Sequence, residues 1–437
     1  MRPRRLRARP TVWLGAVLAL GWPLGPAAAQ ISEPPSAQLR AAPSASVSGE
    51  ARVRYEGYTG TEWGEAPDDG YLWLRLMPLA KFESEAAQVV IQPILGYAVG
   101  VAGGPGPVDR TGIDLLQGYA EFSHALDRDT RIAARAGRML LALGSQRLVS
   151  TRYGPNIPQP FDGVTLHATR GGARVDLVDA RAVAIGPGNF DDRAGGERRL
   201  RSVYFTAEAA QEIGFDLYWI GFHDPAARLV EGFGAEARDT FGLRLFGARG
   251  RVSWNWETML QRGHLAGRSI RAWSQATETL VAFPDAALAP QLRLRANIAS
   301  GDRAGTGERL ESFNALFPRG RYFGELTPLG PRNIINVNPG ILLSPAPGMQ
   351  AEINLAAFWR ESRADGIYDL AGRALRRGGT SGARHIGNLI EASLAYELGS
   401  GVSLGASLGT FTAGRFLRDT GRGDTILMLA AEATWRF

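Results

Sequence analysis

The stretch Thr425-Ile-Leu-Met-Leu-Ala-Ala-Glu-Ala-Thr-Trp-Arg-Phe437 decides how the rest of this 437-residue chain is read. Leu429, Ala431, Ala433, Trp435 and Phe437 recur at every second position, with Glu432 on the opposite side. Side chains of an extended strand point alternately to its two faces, so a period of two with one apolar face marks a strand. The pattern recurs upstream. Met349, Ala351, Ile353, Leu355, Ala357 and Trp359 alternate with Gln350, Glu352, Asn354 and Arg360, and Ile390, Ala392, Leu394, Tyr396 and Leu398 with Glu391, Ser393 and Glu397. Val402, Leu404, Ala406 and Leu408 oppose Ser403, Gly405, Ser407 and Gly409, while Val252, Trp254, Trp256 and Leu260 oppose Ser253, Asn255, Glu257 and Gln261.

A soluble sandwich would alternate in the same way, so strand length and the connections discriminate. These segments run for about ten residues, with short turns such as Gly399-Ser400-Gly401 and 247–251 alternating with longer loops, as in a transmembrane barrel with lipid outside and water inside. Tyr71, Trp73, Trp219, Trp254, Trp256, Trp359 and Trp435 are expected near the membrane borders, where amphipathic rings are favoured. Counting from Ala51 to Phe437 predicts an all-β fold, a transmembrane antiparallel β-barrel of about eighteen strands with long loops folding inward. Residues 131–150 fit two descriptions, since Ile132, Ala136, Met139, Leu140 and Leu143 also suit a helix face. An even strand number brings both ends of the barrel to the periplasmic side, and this size leaves an aqueous channel.

The two ends of the chain agree with that location. Residues 1–29 open with Arg2, Arg4, Arg5, Arg7 and Arg9, continue as an apolar run from Val12 to Leu24 and close on Ala27-Ala28-Ala29, the layout of a secretory signal peptide. The run is shorter than the roughly 20 residues that a membrane anchor needs. A Pro/Ala/Ser-rich stretch follows, giving an expected division into signal peptide (1–29), periplasmic leader (30–49) and barrel (50–437). The aromatic ending at Phe437 resembles the closing strand of Gram-negative outer-membrane barrels, which implies recognition by the barrel assembly machinery and a place in the outer membrane.

Composition narrows the chemistry. There is no cysteine, which excludes disulfides and thiolate-bound metal. Of the 49 lysines and arginines only Lys81 is lysine, and a guanidinium stays charged at any relevant pH and grips carboxylates bidentately. The formal net charge of +6 is small and belongs partly to the signal peptide, so where the arginines point matters more than their sum.

Residues 301–330, GDRAGTGERLESFNALFPRGRYFGELTPLG, have neither strand nor helix period, and so long a loop with so many aromatics is expected to be ordered and functional. Ser300-Gly-Asp-Arg303 with Phe313 to Gly330, together with the block from Gly137 to Gly163, resembles the signature blocks of the alginate export family of outer-membrane barrels. The resemblance spans the mature chain and implies an eighteen-stranded barrel whose arginine-rich pore lets an anionic polysaccharide leave the periplasm. Carried over onto this sequence, it assigns pore-lining roles to Arg138, Arg147, Arg152, Arg319 and Arg321. Strand phase adds Arg293 and Arg295, because Leu292, Leu294, Ala296 and Ile298 take the lipid side, and Arg75 by the same logic from Leu72, Leu74 and Leu76. Arg138 and Arg135 compete for the inward phase. Opposing this reading, Glu257, Glu278, Glu352, Glu391 and Glu432 would neutralise arginines and stiffen the wall.

One departure concerns gating. The family's plug-like periplasmic loop before the last two strands is replaced here by Gly399-Ser400-Gly401, which puts gating by that element in doubt and leaves residues 100–111 and 361–385 to restrict the mouth. Most enzymatic readings fail, and an outer-membrane barrel hydrolase with a Ser or Asp and a His on the rim stays only as a second alternative. Gly401-Val-Ser-Leu-Gly405 and Gly405-Ala-Ser-Leu-Gly409 match a nucleophile-elbow pattern but overlap on one alternating strand, and no Gly-Lys-Ser/Thr exists for a phosphate loop. The five histidines, His124, His167, His223, His264 and His385, are scattered, and Asp68-Asp69-Gly70 and Asp191-Asp192 read as solvated turns. No cofactor or metal is expected. The expected partners are an anionic polysaccharide or small anions, outer-membrane lipid and a periplasmic export scaffold, with no nucleic acid and a monomeric barrel; a small-solute porin is the alternative function.

Overall fold

The computed structural model describes residues 43–437 other than 211, 231, 304–306 and 308, and not the side chains of 195–197, 209 and 210. The expected signal peptide (1–29) and residues 30–42 of the expected leader lie outside the described residues. The chain forms a closed antiparallel barrel of eighteen strands. They are β1 (Ser44–Thr59), β2 (Asp69–Glu83), β3 (Ala87–Val99), β4 (Gly112–Ala125), β5 (Thr130–Leu140), β6 (Pro160–Arg170), β7 (Ala173–Ala184), β8 (Arg193–Ala210) and β9 (Ile213–Leu229). The second half comprises β10 (Gly232–Arg249), β11 (Val252–Leu265), β12 (Arg268–Ala282), β13 (Gln291–Ala299), β14 (Ile334–Ala346), β15 (Met349–Trp359), β16 (His385–Gly399), β17 (Val402–Ala413) and β18 (Ile426–Arg436). Each strand pairs with the next, and β18 closes on β1, with Gly49 and Phe437 exchanging two backbone hydrogen bonds of 2.8 and 3.1 Å.

Closure satisfies every edge, which a sheet in hydrocarbon requires because lipid offers no hydrogen-bond partners. The alternating rows fall as the sequence predicts. Ile353, Leu355, Ile390, Leu404, Leu408, Leu427, Leu429, Trp435 and Phe437 are exposed on the outer face, whereas Glu352, Asn354, Glu391, Ser407 and Thr434 are buried against the lumen contents. Tyr71 and Trp73 depart from expectation. They share the inward face of β2 with Arg75, so Trp73 is buried and donates to Asp109 at 3.2 Å, and Tyr71 donates to Glu56.

β1 begins at Ser44, so the sheet starts within the stretch expected as leader. Residues 131–150 resolve into β5 followed by a loop. Gly137, at φ 131°, keeps the register with both neighbouring strands, and a Cβ there would lie 2.3 Å from the Gly118 carbonyl oxygen.

The end that holds both barrel termini has tight connections, such as Gly399-Ser400-Gly401, where all three residues adopt positive φ. The opposite end carries the long loops, including a small hairpin (Ile367–Tyr368 with Ala374–Arg376) and a short helix α1 (Arg415–Thr420) that buries Phe416 and Leu417. Short periplasmic turns and long extracellular loops set the orientation. Two of the long loops, 141–159 and 300–333, fold into the barrel. A hydrophobic cluster inside the wall joins Phe313, Phe317 and Phe323 from the second loop to Phe161 and Phe222 on one side and Phe358, Leu389, Phe411 and Met428 on the other. Burial of each phenylalanine stabilises this arrangement by roughly 1.5–3 kcal/mol.

Candidate pore constriction

The two inward loops meet each other across the lumen. Val149 and Phe317 form a parallel bridge, flanked by Phe317 N–H donating to the Leu148 carbonyl (2.9 Å), Ser150 to Phe317 (3.0 Å) and Arg319 to Gln146 (3.3 Å). Gln146, Arg152, Leu316 and Asn333, all in these loops, adopt left-handed backbone conformations at φ 61°, 51°, 60° and 47°. Each costs on the order of 1–2 kcal/mol for a residue with a Cβ. The same conformation recurs outside these loops, as at Glu62, Trp63, Ala266 and Ser400, so it is not confined to them.

Seven of the eight arginines expected at the pore lie inside the barrel, but most are already engaged. Arg75 donates to Glu50 (2.7 Å) and to the carbonyls of Tyr153, Pro155 and Asn156, holding the first loop to the wall. Arg147 reaches from that loop to Glu257 on β11 (2.8 Å) and to Asn255. Arg293 pairs with Glu352 and Asn354, and Arg295 with Glu278 at 3.0 Å. Arg321 binds Glu325 at 2.6 Å, and Glu325 also takes Arg54 at 2.8 Å, which ties the second loop to β1. The expected counter-ions therefore meet arginines at Glu257, Glu278, Glu352 and Glu432, whereas Glu391 accepts the Leu326 backbone N–H at 2.7 Å.

Arg138 is the exception to the inward assignment. Its register partner and ion-pair partner is Asp162 (2.8 Å), which shares a face with the exposed Val164 and Leu166, so Arg138 stands on the outer face near the loop end. Arg135 takes the inward phase instead, paired with Glu121 at 2.7 Å and lying over Tyr119. The register runs unbroken through Gly137, so Arg135 and Arg138, three residues apart, take opposite faces of β5.

Arg152 and Arg319 remain without a carboxylate partner. Arg152 makes no side-chain hydrogen bond among the described residues and feels the repulsion of Arg198. Arg319 touches only the Tyr322 carbonyl (3.4 Å) and ring, lies in the field of Arg295, Arg147 and Glu278, and leaves its Nε unsatisfied. These two loop arginines form no ion pair among the described residues, although Glu278 lies in the field of Arg319.

Phase counting over β1 and β10 reaches further inward residues not singled out in the sequence. Arg52 grips the carbonyls of Gly154 (3.2 Å) and Pro155 (2.9 Å), Arg54 meets Glu56 and Glu432, Arg238 meets Glu236 (2.6 Å) and Arg244 meets Asp216 (2.8 Å). Alternation of Arg52, Arg54 and Glu56 with Val53 and Tyr55 was the available signal.

At the mouth, residues 100–111 and 361–384 pack on the inward loops. Val108 accepts from Ile157 N–H at 3.0 Å, and Asp365 accepts from Ser312 at 2.7 Å. Asp114, Asp191 and Asp192 bring carboxylate oxygens within 4.8 Å of one another, with Arg138 at 3.6 Å from Asp114. Burial, reinforced by Asp114, pushes the Asp192 carboxyl up to about 6. Ser403 and Ser407 lie on β17 itself, without the strand-turn-helix geometry of a nucleophile elbow.

Solved porin structures share this architecture. The chain is similar to OccAB1 of Acinetobacter baumannii (11% identity, TM-score 0.64, covering 90% of this chain and 96% of that one). It is also similar to OccK2 (OpdF) of Pseudomonas aeruginosa in complex with glucuronate (12%, 0.61, 90% and 98%) and to a BenF-like porin from Pseudomonas fluorescens Pf-5 (12%, 0.61, 90% and 98%). At these identities the likeness is one of fold. No curated protein sequence matches the chain. The family description and these neighbours are those of channels, not enzymes. The family model for alginate export matches residues 44–425, and the chain belongs to the alginate export family of outer-membrane β-barrels.

Proposed function

We propose that this outer-membrane channel passes an anionic, uronate-type polysaccharide outward, one sugar at a time, past the loop-built constriction. The observation that carries the reading is the pair Arg152 and Arg319, which form no ion pair among the described residues, on loops that meet in the lumen. A polyuronate offers one carboxylate per sugar, and solvated Arg–carboxylate contacts are worth about 0.2–1 kcal/mol each, weak enough for a chain to enter and still leave. The transport needs no nucleotide site in this chain; direction comes from polymer supply on the periplasmic side or from an export scaffold.

A second reading, a porin for small carboxylates, is favoured by the bridging of the two loops across the lumen, which narrows the passage. Planar-bilayer conductance with uronates of increasing length separates the two. For export, block strengthens with chain length and is relieved in the Arg152→Ala/Arg319→Ala protein. Block by the monomer alone favours the small-solute porin, and cation selectivity overturns both. Arg293→Ala/Arg295→Ala is the poorer test, because it strands Glu352 and Glu278 without partners.

A further inference from the structure

The outer face of the barrel changes character between β7 and β12. Trp219, Phe241, Leu260 and Trp273 are successive cross-strand neighbours in one outward row, an apolar and aromatic belt of the kind that marks the headgroup level. The next outward position toward the loop end, about 6.7 Å further along the strands, carries Arg201, Asp239, Arg262 and Arg271. Arg181 and Arg199 stand one outward position beyond that.

Two pairs in this belt set like charges directly opposite each other: Arg181 faces Arg199 across β7 and β8, and Arg262 faces Arg271 across β11 and β12. Such pairing is unfavourable unless an anion lies between the side chains. The first pair has one in Asp179, which binds Arg199 at 2.6 Å and lies 3.5 Å from Arg201. Arg262 and Arg271 are both exposed and have no ion pair among the described residues. Asp239, the register neighbour of Arg262, is taken by the indole N–H of Trp219 at 2.8 Å.

We propose that Arg262 and Arg271 form a docking site for the phosphate of a phosphorylated glycolipid in the outer leaflet. Two guanidinium forks on adjacent strands, roughly 5 Å apart at their Cβ atoms, suit an anion with several acceptor oxygens. The site is continuous with the lipid-facing band, so its occupant approaches within the membrane plane, acyl chains against the apolar row and headgroup against the arginines. This surface is separate from the lumen and does not depend on what the channel carries.

Full-length protein extracted in mild detergent and weighed by native mass spectrometry tests it. Wild-type protein is expected to retain phosphorylated glycolipid, and Arg262→Gln/Arg271→Gln to retain roughly fivefold less, the scale of two solvent-exposed ionic contacts. Arg262→Lys/Arg271→Lys keeps part of the retention, and glycolipid stripped of phosphate binds all three proteins alike. Equal retention by wild type and the glutamine variant, with both showing the heat-modifiable gel mobility of a folded barrel, overturns the proposal. So does inorganic phosphate alone protecting wild type against thermal unfolding as well as the glycolipid does.

Discussion

Arg75 carries little charge into the lumen, because Glu50 takes one of its terminal nitrogens and the carbonyls of residues 153–156 take the other. Arg75→Ala would reduce the partners of the buried Glu50 to Arg436 and Tyr153 and leave the first inward loop held by Arg52 at its Gly154 and Pro155 carbonyls. A loss on the order of 3 kcal/mol in denaturant unfolding is expected, with faster hydrogen exchange at residues 153–156. Arg75→Lys should recover only part of this, since an ammonium cannot reproduce the fork. Arg152 and Arg319 behave oppositely: their removal is expected to cost little stability while changing ion selectivity, read as a shift of reversal potential toward cations in a salt gradient. The inward phase of Arg75, Arg293 and Arg295 was legible from the leucines beside them. Glu352 and Glu278 were legible as counter-ions but not which arginine each meets, and Glu50, the partner of Arg75, was missed, because such pairing is set by register across the sheet. Arg138 was assigned from the family resemblance, whereas the unbroken alternation of β5, counted from the exposed Ile132, puts it on the outer face.

At the scale of elements, the inward folding of the 301–330 loop was legible from its length and aromatics, but the loop it would meet was not. Phe317 and Val149 find each other across 168 positions of sequence, and no local pattern encodes that bridge. The mouth has its own organiser in Arg360, fully buried, stacked over Phe416 at 3.8 Å and donating to the carbonyls of Arg363, Asp365, Ser381 and Ala383. The loop at 185–192 responds to pH. Because the folded-state carboxyl of Asp192 titrates near 6, above the usual value of about 3.9, its contribution favours the packed loop in full below the ordinary value and is lost as pH rises through 6. Hydrogen exchange at these residues, corrected for intrinsic rate, should therefore be slower at pH 4 than at pH 7. Asp192→Asn should flatten the difference, and a flat wild-type profile would count against it.

For the whole molecule, eighteen strands, the closing aromatic strand and the wet interior were legible because a bilayer enforces alternation over the full span of each strand. Phe437 is exposed on the outer face and stacks near Trp435 at 4.7 Å, so it adds little to the interior packing. Its value is expected to lie in recognition during assembly: Phe437→Ala should lower the amount of barrel in the outer membrane of cells several-fold, yet leave refolding into synthetic vesicles nearly unchanged. Comparable losses in both assays would place its role in the folded barrel instead. The hydrogen bonds between Gly49 and Phe437 have a kinetic meaning as well. They join the two ends of the barrel sequence, the most non-local contact in the fold, so ring closure must be the last and slowest event, and until then two unpaired edges remain open to a neighbouring chain.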